Sequence, residues 1–177
     1  MKKKYKEVRG NLIELALQGH FDVVVQGCNC FNKQGAGISG QFVKHWKTDT
    51  YHLETTIMVK PKEKLGMIEI FRHSIADTSK THRDILNVVN AYTQYKPGRD
   101  LKIKALERAF KTLNDTYPGK VIGIPEIGCG IAGEKWKVVR EVIQNVTSDC
   151  YIRAIIPFDY SYPRTWLQKQ VQKYQLR

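Results

Sequence analysis

Two strings of the form G-x-G-x-x-G stand ninety-three positions apart in the chain: Gly35-Ala36-Gly37-Ile38-Ser39-Gly40 and Gly128-Cys129-Gly130-Ile131-Ala132-Gly133. Glycine lets main-chain N–H groups approach an anion with no Cβ in the way, so such strings commonly bring backbone up to a phosphate. One copy carries little weight. Two copies within 177 residues point to one site built from both halves of a domain, with a diphosphate between them. The alternative is that these glycines only permit tight strand-to-helix turns.

Other chemistries fail on spacing. A dinucleotide-binding Rossmann motif needs a strand, a tight glycine turn and a helix, with an acid ending the next strand. The first string stands too far beyond the Val23-Val24-Val25 run, with Cys28 to Lys33 between them. The second is trailed by Asp149, which precedes the next strand instead of ending it. A Walker A loop needs G-x-x-x-x-G-K-S/T, but Glu134 stands where the lysine belongs. Cys28-x-Cys30 has no second pair at zinc spacing, so buried packing near a turn is its expected role and no metal is expected. The histidines form no H-x-x-x-H pair, no cysteine is followed six positions on by arginine, and there is no G-x-S-x-G elbow.

Apolar runs and helical periods alternate along the chain and must position the two strings. Tyr5 to Val8 alternates as an edge strand. Asn11 is placed to cap a short helix through Leu12, Ile13, Ala16 and Leu17, stopped by Gly19. Val23 to Val25 reads as a buried parallel strand. Ile38, Phe42 and Trp46 recur at helical spacing from the first string, and Met67 to Phe71 and Ile85 to Tyr92 read as strands. Leu106, Ala109, Phe110 and Leu113 mark one helix face, ended by Tyr117-Pro118-Gly119. Val121 to Ile124 is the next strand. Trp136, Val139, Ile143 and Val146 then give a helix, Ile152 to Ile156 a last strand, and Pro163 opens a C-terminal helix carrying Trp166, Leu167, Val171 and Tyr174. Residues 47–84 read only as a strand pair and a loop. The pattern predicts a single domain over 1–177, a three-layer α/β/α sandwich with a mixed, largely parallel central sheet.

Composition sets the remaining bounds. Hydrophobic content of 42% suits a soluble globular domain, and no apolar run spans a membrane. The basic start, Met1-Lys2-Lys3-Lys4-Tyr5, runs into strand-like residues and not an apolar signal region, and four scattered cysteines suit a reducing compartment, so a cytoplasmic location is expected. Twenty-nine Lys and Arg against 17 Asp and Glu give a formal charge of +12, which steers anionic partners. Nucleic acid is one such partner but is not favoured, because no basic helix or aromatic RNA-binding string accompanies the charge.

Taken in order, these segments resemble a macrodomain, the ADP-ribose-binding module. Gly10-Asn11-Leu12-Ile13 is similar to the family's Gly-Asp-hydrophobic element, whose acid contacts the adenine amino group. Val23 to Asn29 resembles the strand ending in Asn-Ala-Ala-Asn, with Asn29 on the asparagine that binds the distal ribose. Gly35 to Gly40, with Ala36, Gly37 and Ile38, resembles the glycine loop beside distal ribose and diphosphate. Pro125 to Gly133, with Gly128, Cys129, Gly130, Ile131 and Ala132, resembles the loop that closes over the diphosphate. Phe158, in Ile155-Ile156-Pro157-Phe158-Asp159, falls where an aromatic residue packs on adenine.

Within the family, Gln26 to Cys30 with Ile127 to Gly130 is most similar to the ADP-ribose-1''-phosphate phosphatases and terminal ADP-ribose hydrolases. Three positions depart from the pattern. Asn11 replaces the adenine-reading acid, Ala132 replaces the aromatic residue of binders or the aspartate of ester-cleaving hydrolases, and Gln94 replaces their attacking lysine. The resemblance implies that ADP-ribose binds, with no further cofactor, and that the terminal phosphate of ADP-ribose-1''-phosphate is the reacting group. The alternatives are a non-catalytic binder or reader, a hydrolase of ADP-ribosylated protein, and a basic nucleic-acid-associated domain. Asn29 is expected at the reacting ribose, and His45 and Glu134 are the base candidates.

Overall fold

The computed structural model describes residues 4–50, 59–75 and 84–158. Six strands form one sheet: β1 (Tyr5–Arg9), β2 (Val23–Asn29), β3 (Ile68–Ser74), β4 (Ile85–Gln94), β5 (Val121–Ile124) and β6 (Tyr151–Ile156). Their spatial order is β1-β6-β5-β2-β4-β3, all neighbours parallel except β3, which runs antiparallel to β4. Among the described residues four helices accompany them: α1 (Leu12–Leu17), α2 (Gly37–Trp46), α3 (Ile103–Thr116) and α4 (Trp136–Val146).

The Val23–Val25 run is apolar at every position because β2 lies in mid-sheet and is buried on both faces. Val23 and Val25 point to one face, where Val89, Ile122, Ile152 and Ala154 meet Leu106, Phe110, Leu113, Val139 and Ile143 of α3 and α4. Val24 points to the other, with Val88, Phe71 and Ile155, under Leu12, Ile13 and Ala16 of α1 and Phe42 and Trp46 of α2. That division into helix, sheet and helix is the expected three-layer sandwich, and β1 is the edge strand its alternation predicts.

Local signals set several boundaries. Asn11 caps α1, its side-chain oxygen accepting from the amides of Ile13 and Glu14 at 3.0 and 3.2 Å. Gly19 follows that helix with a φ of +74°. The described part of residues 47–84 holds the strand β3. β3 finds its partner in β4, outside that stretch, and a 3₁₀ turn at Pro61–Lys64 precedes it. The predicted helix from Pro163, with Trp166, Leu167, Val171 and Tyr174, lies outside the described residues. No helix among those described is long and apolar enough to cross a membrane.

Candidate functional site

Parallel strands aim their C-terminal ends at one edge of the sheet, where crossover loops gather and ligands of α/β proteins bind. β1 ends there at Gly10-Asn11, and β6 at Pro157-Phe158. The amide of Gly10 donates to the carbonyl of Ile156 at 3.0 Å, which brings the first and last candidate segments side by side. β5 leads into Pro125–Gly133, and β2 ends at Asn29. Four segments far apart in sequence thus reach one edge.

Asn29 sits at an irregularity. Its register partner on β4 is Gln94, whereas Cys28 pairs with Tyr92, so Thr93 is an extra residue that bulges the strand. Asn29 is buried, and its oxygen accepts from the amides of Phe31 and Lys33, both at 3.2 Å. Its amide nitrogen donates to the carbonyl of Lys33 at 2.9 Å. The side chain therefore shapes the turn after β2. One N–H remains for a ligand.

The two glycine strings differ in construction. The first opens α2, with Ala36 at the cap and Gly37 at φ +58°. The amides from Gly35 to Ser39 donate to no acceptor among the described residues, and the first helical bond is from Gly40 to Ala36. Together they form a set of donors at a helix N-terminus. The second string is a coiled turn and not a helix start. Gly133 donates to the carbonyl of Gly130 at 3.0 Å and Glu134 to that of Gly128 at 2.9 Å, and α4 begins only at Trp136. Gly128 and Gly133 both need glycine, with φ of +75° and +73°. Within this turn the amides of Gly130, Ile131 and Ala132 have no acceptor among the described residues.

Space points the same way. At Gly35, Gly37 and Gly130 nothing stands within 4 Å of where a Cβ would be, so the backbone there faces open space. By contrast, a Cβ on Gly27 would meet Ile127 at 2.8 Å and the Thr93 hydroxyl at 3.0 Å. Gly27 is thus the close approach that docks the second loop onto β2 and β4.

The base candidates His45 and Glu134 lie on separate segments of the fold. His45 is exposed in the last turn of α2, eight residues from Gly37, or about 12 Å along the axis at 1.5 Å per residue. Glu134 precedes α4 and does not open it, and its carboxylate accepts from the amide of Lys135 at 2.8 Å. Asn11 commits its oxygen to capping α1. Gln94 donates to the carbonyl of Gly98 at 2.8 Å. Cys28 and Cys30 are buried as expected. Burial lifts the Cys28 thiol well above its usual range, with Glu69 adding to the effect. Burial likewise pushes Cys129 up to about 11, reinforced by the charges of Glu126 and Glu134. These thiols are protonated at neutral pH and are not nucleophiles.

A buried amide network that no sequence motif marks lies under the first loop. Gln26 on β2 and Asn90 on β4 are register partners, both fully buried. The Gln26 amide donates to Asn90 and Gln34 at 2.8 Å each and to Thr48 at 3.2 Å. Gln34 donates to Asn32 and to the carbonyl of Thr48, which also receives the Asn90 amide. The residue just before Gly35 is thereby fixed to the sheet and to the chain beyond α2. The available signal was a glutamine and an asparagine inside runs otherwise fit for a buried strand.

Comparison with known proteins bears on this arrangement. No family model matches the chain. An uncharacterized 17.5 kDa protein of the tk-vs intergenic region of Enterobacteria phage T4 is 26% identical over 151 residues, covering 81% of this chain and 90% of that one. The macrodomain of Thermus aquaticus DarG superposes with a TM-score of 0.61 at 18% identity, over 88% of this chain and 98% of that one. Thermosipho africanus DarTG, solved in complex with ADP-ribose, gives 0.64 at 14% identity, over 94% of this chain and 45% of that one. The chain has the macrodomain fold.

Proposed function

We propose that the protein binds ADP-ribose along the C-terminal edge of the sheet and hydrolyses the terminal phosphate of ADP-ribose-1''-phosphate. One observation carries the binding claim. Two glycine loops from opposite halves of the chain present amides without acceptors among the described residues, and at Gly35, Gly37 and Gly130 the backbone faces open space. Such donors suit a diphosphate. The macrodomain fold supports the same ligand, since one structural neighbour was solved with ADP-ribose.

In this reading Pro125 and the turn from Gly128 to Gly133, including Cys129, Ile131 and Ala132, hold the diphosphate. Gly35, Ala36, Gly37 and Ile38 meet the distal ribose and its phosphate, and Asn29 holds that ribose through its remaining N–H. Gly10, Asn11, Leu12 and Phe158 receive the adenine. Because the Asn11 oxygen caps α1, its amide nitrogen faces the base as a donor, so it reads a ring nitrogen in place of the exocyclic amine. Loop amides already in place can stabilise charge developing on the reacting phosphate without reorganisation. Glu134, whose amide closes the second loop, is the base candidate nearest that turn in the chain.

The second reading, a binder without turnover, is favoured by Ala132, which brings no functional side chain to the loop. Incubating the protein in parallel with ADP-ribose-1''-phosphate and an ADP-ribosylated protein separates the readings. Release of inorganic phosphate from the first supports the phosphatase. Release of ADP-ribose from the second assigns a hydrolase, and calorimetric binding with neither release assigns a reader.

A further inference from the structure

The loop from Gln94 to Lys102, between β4 and α3, packs on both outer glycines of the second string. A Cβ on Gly128 would stand 2.8 Å from the Leu101 side chain, and one on Gly133 would stand 3.1 Å from Nε of Arg99 and 3.3 Å from Cγ and Cδ. Gly133 is therefore a seat across which the arginine stem lies flat. Besides its left-handed φ, this is a second reason for glycine at that position.

The loop that carries Arg99 is braced. The Asp100 carboxylate accepts from the amides of Tyr95 and Lys96 at 3.1 and 2.8 Å and pairs with Lys102 at 2.6 Å. Gln94 donates to Gly98, the Asp100 amide donates to Gly98, and the Lys102 amide donates to Thr93. The one carboxylate of this loop is thus neutralised by Lys102. Arg99 is exposed and makes no ion pair or hydrogen bond among the described residues.

The second glycine turn carries Glu126 and Glu134, both close enough to act electrostatically on Cys129. An anion entering that turn meets amide donors but also two negative side chains, so its binding calls for a cation held beside the turn. Lys135 follows Glu134 as the residue before α4, its amide donating to the Glu134 carboxylate and its carbonyl accepting from Val138 and Val139, whereas the Arg99 side chain lies across Gly133 itself. A planar guanidinium suits bidentate contact with phosphate oxygens.

We infer that Arg99 is the cationic contact for the ligand's diphosphate, supplied to the second glycine turn from the β4–α3 loop and making the site selective for a diphosphate over an uncharged nucleoside. This assignment rests on the ADP-ribose site proposed above. The test is calorimetric titration of the intact protein and of Arg99→Ala, Arg99→Lys and Lys135→Ala with ADP-ribose, ADP and adenosine, at low and at raised salt. Arg99→Ala should weaken ADP-ribose and ADP about tenfold or more, leave adenosine unchanged and flatten the salt dependence. Arg99→Lys should recover part of the loss. Melting temperatures should match the parent's, since the side chain makes no hydrogen bond among the described residues. Unchanged ADP-ribose affinity in Arg99→Ala beside a binding wild type overturns this assignment alone. So does an equal loss in Lys135→Ala, or an equal loss for adenosine. A wild type that binds none of the three overturns the site reading, and the assignment with it.

Discussion

Gly128 and Gly130 stand two positions apart in one turn, yet the structure gives them different work, and alanine at each separates folding from binding. Gly128 has a φ of +75°, and an added Cβ would press on Leu101 at 2.8 Å. The left-handed conformation costs a residue with a Cβ about 1–2 kcal/mol. A domain of this size loses about 2–4 °C per kcal/mol, so Gly128→Ala should melt roughly 3–6 °C lower. Gly130 is not held at a left-handed φ and has nothing within 4 Å of its Cβ position. Alanine there narrows the unfolded ensemble at no native cost, for a gain of about 0.4–1 kcal/mol, and should melt at or slightly above the wild type. Its methyl occupies the space assigned to the diphosphate.

The assay is thermal melting of wild type and both variants with and without ADP-ribose. At one hundred times its Kd a ligand adds about 2.7 kcal/mol, so the wild-type melt should rise by roughly 5–10 °C. Gly130→Ala should lose most of that rise while folding normally. Gly128→Ala should start lower. Gly130→Ala that keeps the full ligand-induced rise would refute the placement of the diphosphate over this turn.

Three further outcomes are expected. Gln26→Leu strips hydrogen bonds from the buried oxygens of Gln34, Asn90 and Thr48 and should cost about 1–3 kcal/mol in urea unfolding, with Asn90→Leu added in the same chain costing less than the sum of the singles; strict additivity would mean the network is not coupled. Burial by itself would raise the Glu7 carboxyl, but hydrogen bonds from Trp136, Tyr5 and Arg140 outweigh it and hold the group below its usual range. Its stabilising contribution is then present above the unfolded carboxylate range and fades as pH falls through the folded pKa. Glu7→Gln should lose at most about 1 kcal/mol at pH 7, the group being partly screened by solvent, and progressively less as pH falls below the unfolded carboxylate range in paired denaturation curves, and a pH-independent difference would contradict this. With its thiol pushed up to about 11, Cys129 should alkylate roughly two orders of magnitude more slowly than a free cysteine at pH 7.5, the rate rising with each pH unit toward that value. Rapid labelling at neutral pH, located by peptide mass, would show the thiol to be activated.

Much of this fold was legible because its signals are local. The all-apolar Val23–Val25 run could only be a strand covered on both faces, and the spacing of Ile38, Phe42 and Trp46 placed α2 at the first glycine string. Asn11 announced the cap of α1, and Gly19 its stop. What stayed hidden depends on contacts between distant segments. Nothing near Gly133 in sequence says that Arg99 lies across it. Nor does anything near Gln26 say that Gln34, Thr48 and Asn90 converge on its amide. The bulge at Thr93, which resets Asn29 against Gln94, is a register event that periodicity cannot carry. The places of the two base candidates in the fold are likewise set by geometry that residue spacing does not carry. Helical rise carries His45 to the far end of α2, and three non-helical residues after Ala132 put Glu134 ahead of α4 instead of in its first turn.

Isothermal titration of the intact protein with ADP-ribose decides whether the two glycine loops form a diphosphate site. One-to-one binding is expected, weakened at least about tenfold by Gly130→Ala while the fold stays intact. No heat of binding and no rise in melting temperature at millimolar ADP-ribose would contradict it, and the two glycine loops would then be turns and nothing more.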